Sequence, residues 1–279
     1  MKKRKVIMIL ALIIVIIVIC LIAISTQKKE ISISEQIKNI KPIYTIDYSN
    51  MGDSYIDAIY EKYDTVRFGT QSDNPLGVLK KPLEWIVLDK NENAALLLSK
   101  YIIDCKPFDY VDIENIDMID EQVKERYKYC DWGESSLRKW LNSDLLNNAF
   151  SKEEKEKVLL TYLNDVNTND RIFCVSEEEY KRYFDNGQYY EQGRDLGEHH
   201  IYYNGATRRN EKAQSYDKYG LLQPNETYDY WLRDKSLNIS EQGVEFGSTK
   251  TIGLYGEINS SINIDPYCGV RPALWVSLD

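Results

Sequence analysis

The sequence predicts an α+β fold: one extracytoplasmic mixed domain carried on a single N-terminal transmembrane helix. Three observations lead there. Val6–Ile24 is an unbroken run of uncharged, mostly aliphatic residues. Strand-like segments lie at both ends of the chain that follows, and the helical patterns cluster between them instead of alternating with them, as an α/β chain would require.

As a helix, Val6–Ile24 rises about 28 Å, close to the roughly 30 Å hydrocarbon core of a bilayer. Residues 6–25 are therefore expected to be the membrane partner. Lys2, Lys3, Arg4 and Lys5 precede them, so the positive-inside rule keeps residues 1–5 cytoplasmic and sends the rest across. The expected location is the cell membrane, single-pass, with the C-terminal domain outside. A cleaved signal peptide ending at Ala23-Ile-Ser25 is the rival, but this apolar run exceeds the usual 7–15 residues. Cys20 follows Ile19, which does not suit a lipoprotein cleavage site. With the four positive charges of residues 2–5 set apart from the net −9, the remainder carries −13. Such an acidic surface repels phosphate backbones, so no nucleic-acid partner is expected.

Residues 26–63, polar and broken by Pro42 and Gly52, read as a juxtamembrane stalk with a short helix near Ser54–Tyr63. Residues 64–279 form the domain. Val66-Arg-Phe68 alternates before Gly69; Leu83–Leu88 and Ala94–Leu98 flank Asp89–Asn93 as a hairpin of buried strands. Asp104–Asp131 reads as an acidic, turn-rich connection. Ser135 or Ser136 caps a helix with Leu137, Trp140, Leu141 and Leu145 on one face, and Ser151-Lys-Glu-Glu154 is a capping box opening the next. Arg171–Val175 is expected as a short strand. Ser176–Glu179 is a second capping box, before a helix burying Tyr180, Tyr183 and Phe184. Asn186–Pro224, rich in Gly, Asn and Tyr, is a long irregular insertion. Tyr228–Arg233, Val244–Phe246 and Gly269–Leu278 close the chain as strands, the last an edge or bulged strand because of Pro272.

Arg67-Phe-Gly69, Glu84-Trp-Ile-Val-Leu88, Ala95-Leu-Leu-Leu-Ser-Lys100, Ser135-Ser-Leu-Arg-Lys-Trp-Leu-Asn142, Ala149-Phe-Ser-Lys-Glu-Glu-Lys155, Val175-Ser-Glu-Glu178, Tyr230-Trp-Leu-Arg233 and Gly269-Val-Arg-Pro-Ala-Leu274 together resemble the bacterial domain of unknown function 6273, in that family's order, over about residues 66–278. The resemblance implies no established activity. Its Trp-Leu-Arg and Val-Arg-Pro endings are similar to strands of the C-type-lectin-like fold shared with formylglycine-generating enzymes. Two departures bear on that likeness. The enzymes work with a cysteine pair, and Cys105, Cys130, Cys174 and Cys268 match no such spacing; the calcium-lectin triplets are only echoed by Gln223-Pro-Asn225 and Trp231-Leu-Arg-Asp234.

Candidate chemistry is sparse. His199 and His200, with Glu198, have metal-ligating atoms, yet adjacent loop histidines rarely converge on one ion, so no metal site is expected. Neither His-Glu-x-x-His nor Gly-x-Ser-x-Gly occurs, and Gly243–Lys250 lacks the Lys-Ser/Thr order of a phosphate loop. Asp109, Asp112, Glu114, Asp117, Asp120 and Glu121 crowd one connection without EF-hand spacing, which leaves calcium as the one cofactor still open. Arg138, Arg233 and Arg271 sit among Leu and Trp and are read as structural cations that are paired or laid on aromatic faces.

Twenty-two tyrosines are the unusual compositional fact, several of them in the insertion. The expected function is a membrane-anchored extracytoplasmic binding module for a carbohydrate or a cell-surface protein, with Tyr189, Tyr190, Tyr202, Tyr203 and Trp231 as ligand-binding residues, since tyrosine buries area and keeps a hydroxyl. No catalytic residue is assigned. The alternative is an exported enzyme of the sulfatase-modifying-factor type, or a hydrolase using carboxylates.

Overall fold

The computed structural model describes residues 31–42, 64–72, 80–110, 131–184, 206–207, 227–239, 245–253, 258–263 and 268–279. Val6–Ile24, Ser54–Tyr63 and almost all of Asn186–Pro224 lie outside them. Among the described residues, no helix is long and apolar enough to cross a membrane.

The first strands follow the hydrophobic pattern. β1 (Thr65–Ser72), β2 (Lys80–Lys90) and β3 (Ala94–Ser99) form an antiparallel sheet in the order β1-β2-β3, and β13 (Ala273–Ser277) adds to its far side against β3. The expected hairpin is β2–β3. Its turn is fixed by Asn91, whose Oδ1 accepts from the backbone N–H groups of Asn93 and Ala94, both at 2.8 Å. In β1 the register shifts between Arg67 and Thr70, around Gly69 at φ +74°.

A second sheet has the order β11-β10-β9-β12-β4, built from β4 (Asp104–Lys106), β9 (Tyr230–Ile239), β10 (Glu245–Ile252), β11 (Ile258–Asn263) and β12 (Cys268–Val270). Only the β12–β9 pair is parallel among these. β4 corrects the sequence reading, which took Asp104 onward as connection: three residues are too few for a period, and β4 exists because β12 offers it an edge.

The two sheets share a corner. Ser99 ends β3 and Pro272 precedes β13; Ser99 N–H donates to the Pro272 carbonyl at 2.8 Å, and Ile103 N–H to the Val270 carbonyl at 2.9 Å. Pro272 has no N–H to donate and so splits the expected Gly269–Leu278 strand into β12 and β13, one in each sheet. Gly269 is required at this corner because a Cβ there would lie 2.6 Å from the Asp229 carbonyl oxygen. β13 is the edge strand anticipated from Pro272, and its outer side is covered by bridges to Val158 and Phe173. Phe173 is thus one bridge residue, not the centre of a strand over Arg171–Val175 as the sequence suggested.

Helices pack around this frame. Ser135 caps α2 (Ser136–Trp140), its Oγ accepting from Arg138 N–H at 3.1 Å. The helix runs through a π-helical turn, Leu141–Leu145, into α3 (Leu146–Ala149). Leu137, Leu141 and Leu145 are buried, but Trp140 is only partly so, a correction to its expected core position. α4 (Lys152–Lys157) carries the full Ser151–Glu154 capping box. β5 (Thr161–Leu163) and β6 (Thr168–Asp170) form a hairpin absent from the sequence reading, with Asn167 at φ +52° in its turn. α5 (Glu177–Phe184) buries Tyr180, Tyr183 and Phe184 as expected. β7 (Ala206–Thr207) and β8 (Thr227–Tyr228) pair across the insertion.

The segment read as a stalk contributes α1 (Ile33–Ile37), capped by Ser32. Ile33, Ile37 and Ile40 belong to the main apolar core. Part of residues 26–63 is therefore docked on the domain.

Candidate functional site

The long insertion leaves the domain at the end of α5 and rejoins it at β8 and β9, so its root is where a loop-borne site would be held. One side chain joins both ends. The Arg271 guanidinium lies 5.9 Å from the Phe184 ring and 5.2 Å from the Tyr230 ring. Its Nε donates to the Ser99 carbonyl at 2.8 Å and its Nη1 to the Tyr230 hydroxyl at 3.2 Å. Burial pushes the Tyr230 phenol above its ordinary pKa against the pull of Arg271, so this contact is a cation beside a neutral phenol. The residue before Phe184 on α5, Tyr183, donates from its hydroxyl to Asp89 Oδ2 at 3.2 Å; burial, then the Asp89 carboxylate, raise its pKa too.

A second polar cluster lies at the start of α5. Arg233 is buried, and its Nε and Nη2 meet the two carboxylate oxygens of Asp165 at 2.8 and 3.1 Å. Its Nη1 reaches Glu179 Oε2 at 2.5 Å and the Cys174 carbonyl at 2.9 Å. Burial alone would lower the guanidinium's pKa, but Glu179 and Asp165 more than offset it. Glu179 also accepts from Ser176 N–H at 2.9 Å and completes the second capping box. Beside it, Asp234 accepts from Glu177 N–H at 2.6 Å, while the Glu177 carboxylate pairs with Lys181 and Lys250. The two carboxyls are pushed in opposite directions. Burial raises Asp234, whereas hydrogen bonds from Lys181 and Lys250 lower Glu177.

The motifs that carry the family resemblance hold the fold together. Trp85 Nε1 donates to the Phe68 carbonyl at 2.7 Å, and Gly69 N–H to Glu154 Oε1 at 2.8 Å, which locks Arg67-Phe-Gly69 to Ala149–Lys155. In the Ser135–Asn142 motif, Arg138 Nε pairs with buried Asp170 at 2.7 Å, and Asp170 also accepts from Trp132 Nε1 at 2.8 Å. Asn142, on the π-helical turn, satisfies the backbone of Arg171 and Ile172. Trp140 carries the Lys106 ammonium 4.5 Å above its ring. The three arginines are thus paired or ring-stacked, as their apolar neighbours implied. These motif side chains therefore contact other parts of the same domain.

Of the expected ligand-binding residues, Tyr189, Tyr190, Tyr202 and Tyr203 lie outside the described residues, as do Glu198, His199 and His200. Trp231 lies in the core. It is 0% exposed, packs 5.8 Å from Phe108 and donates from Nε1 to the Lys106 carbonyl at 2.7 Å, so its ring offers no face for stacking a ligand. That corrects its place in the site. Asp234 is committed to the α5 N-terminus, and Asp109 is buried with Oδ1 accepting from Ser136 N–H at 2.9 Å. Among the described residues, no group of three or more His, Cys, Asp or Glu is placed to hold a metal ion. Cys105, Cys174 and Cys268 are buried and form no disulfide. Burial pushes the Cys174 thiol up to about 12. The sequence reading missed the Arg271 contacts with Phe184 and Tyr230; the available signal was an arginine beside Pro272 in an otherwise apolar run.

Residues 92–278, more than half of the chain, match the family described as Domain of unknown function (DUF6273). The match begins in the β2–β3 turn, so β1 and β2 precede it although they complete the first sheet. No curated protein and no solved structure matches the chain.

Proposed function

The chain belongs to the domain of unknown function family DUF6273, and on that premise we propose that it is a membrane-anchored extracytoplasmic binding module. Val6–Ile24 spans the membrane, Met1–Lys5 stay inside, and the domain presents the Asn186–Pro224 insertion to a carbohydrate or a cell-surface protein. The observation that carries this reading is the division of labour in the chain. The motif side chains are spent on the scaffold, while the insertion, with its clustered tyrosines, springs from a root tied by Arg271 to Phe184 and Tyr230. Rigid roots under long loops are the usual setting of binding residues. The C-type-lectin-like fold is the finer part of the same proposal, supported by the parallel pairing of Tyr230, at the start of the Tyr230–Arg233 motif, with Gly269 of the Gly269–Leu274 motif.

One observation favours a carboxylate hydrolase as the second reading: Glu177 and Asp234 are neighbours whose pKa values are driven apart. Against it, both carboxyls are already engaged by Lys181, Lys250 and the Glu177 N–H.

A binding screen of residues 26–279 against glycans and peptidoglycan fragments, with and without a calcium chelator, tests the proposal. Single Tyr→Ala changes at 189, 190, 202 and 203 should weaken binding about tenfold each, the scale of a lost stacking contact, and leave melting unchanged. Loss of stability with intact binding would show these tyrosines to be core. Turnover of a glycan abolished by Glu177→Gln would favour the hydrolase.

A further inference from the structure

β5 and β6 make a hairpin with two unlike faces. On the inner one Leu163 and Asp170 are buried, and the Asp170 carboxylate accepts from Trp132, Arg138 and Thr168. Both limbs are also stitched to β13, one through Val158 and Val276 and the other through Phe173 and Ala273. The hairpin is thus fixed to the domain, and whatever its outer face carries is presented on a rigid support.

That outer face carries an aromatic ring laid across it. Tyr162 is paired on the ladder with Asn169, yet its hydroxyl donates to Asn167 Oδ1 at 2.8 Å, two residues nearer the turn. A side chain that reaches its diagonal neighbour lies over the strands instead of standing away from them, with one side of the ring on the hairpin and the other toward water. Tyr162 is 54% exposed in spite of that tie, and Leu160, two residues earlier, is 61% exposed. Among the described residues the other large apolar side chains so exposed are Ile31 and Tyr110, so two of the four fall within three consecutive residues. Asn167 and Asn169 are exposed beside the ring. Between Leu159 and Asn169 the one charged residue is Asp165, and it is turned to the Arg233 guanidinium.

We propose that the outer face of the β5–β6 hairpin is a sugar-binding surface, with Tyr162 as the stacking ring and the Asn167 and Asn169 amides as hydrogen-bond partners of a neutral pyranose. The chemistry of the exposed groups selects this ligand. A pyranose packs its C–H face on an aromatic ring, and its hydroxyls both donate and accept, as a side-chain amide does. An anionic ligand would need a cation on this face, and a protein partner a far larger apolar area than Leu160 and Tyr162 supply. The assignment rests on the carbohydrate reading of the binding module and deepens it, by adding to the insertion a contact built on paired strands.

The test titrates the full chain, solubilised in a mild detergent, with the linear tetramers of N-acetylglucosamine and of glucose, and reads binding by calorimetry. The parent should bind at least one of them. Tyr162→Ala should weaken that binding about tenfold, the scale of a lost stacking contact, and Asn169→Ala about fivefold, the scale of one hydrogen bond. Tyr162→Phe keeps the ring and should stay within about twofold of the parent. Both side chains are exposed, so all three variants should melt like the parent. Sugar binding that survives Tyr162→Ala unchanged but is lost on changing residues 189, 190, 202 and 203 to Ala would overturn the hairpin site and leave the carbohydrate reading standing. A parent that binds neither tetramer also overturns the assignment; an acidic glycan or a surface protein bound by the same sample would then keep the binding module without this site.

Discussion

Gly69 and Phe150 are packed so closely that a Cβ on the glycine would lie 2.6 Å from the Phe150 ring. The contact joins β1 to the end of α3, and Phe150 in turn lies 5.2 Å from Phe68 and 6.3 Å from Trp85. Gly69 also has φ +74°, where an L-residue is strained. Gly69→Ala should therefore cost about 2–4 kcal/mol, the sum of overpacking and backbone strain. Chemical denaturation measures it, and a cost below that of an ordinary surface substitution would mean that the bulge relaxes freely.

Trp231 and Trp140 separate by burial. Trp231 is fully enclosed with its N–H bonded, so Trp231→Ala should cost about 3–5 kcal/mol. Trp140 is partly exposed beneath Lys106, and Trp140→Ala should cost clearly less, about 1–2 kcal/mol, for partial apolar burial and one cation–π contact. Equal losses of melting temperature would refute the distinction.

What the sequence made legible followed from local chemistry. The β2–β3 hairpin, the Ser135 cap, both capping boxes and the buried face of α5 are each written within a window of a few residues, and each is present. β4, the β5–β6 hairpin and the split at Pro272 were hidden because their causes are remote: β4 needs β12, and β13 needs Val158 and Phe173 along its outer side. α1 looked like stalk since Ile33, Ile37 and Ile40 are too few to distinguish a docked turn from a polar linker. Trp231 was expected at the ligand surface and lies in the core, because which face of β9 it occupies is set by sheet pairing. The insertion is a candidate site only by elimination, from what the motifs leave unused, and Arg271 at its root depends on partners from residues 99 to 230, which no local window contains.

Glu177 gives a pH signature. Its pKa is lowered in the fold by hydrogen bonds from Lys181 and Lys250. A depressed carboxyl contributes stability that is present above its unfolded value and lost as pH falls through the folded one. Stability should therefore decline as pH falls below the ordinary glutamate value of 4.5, and Glu177→Gln should flatten that decline while lowering stability at neutral pH. Asp234 has the opposite sign: burial raises it, so it costs stability when ionised and less once protonated. Glu177→Gln leaving the acid limb unchanged would place the responsible carboxylates elsewhere.

Cys174 and Cys268 should be inert in the native protein. Burial lifts both thiols, Cys174 to about 12, and Cys268 Sγ donates to the Asp229 carbonyl at 3.0 Å. Reaction requires thiolate, which is scarce at neutral pH for such groups. A maleimide should label neither residue until the domain is unfolded; native labelling of either, mapped by mass spectrometry, would show that its strand opens.

Arg271 is expected to govern the root of the insertion separately from the rest of the fold. Its guanidinium lies between Phe184, the last described residue before the insertion, and Tyr230, just after it, and is fixed by the Ser99 carbonyl. Arg271→Met keeps an apolar stem between the rings but leaves the Ser99 carbonyl without its guanidinium donor, at about 1–3 kcal/mol. Tyr230→Phe removes only the 3.2 Å bond to Arg271 Nη1 and should cost about 1 kcal/mol or less. The two variants should differ more sharply in local opening than in global melting. Limited proteolysis within residues 185–226 should accelerate in Arg271→Met well below its melting temperature, because the two ends lose their common tie, and stay near the parental rate in Tyr230→Phe, where the guanidinium remains between both rings. If proteolysis and melting instead shift in step in both variants, the root opens only with the whole domain, and Arg271 is a core residue with no separate hold on the loop.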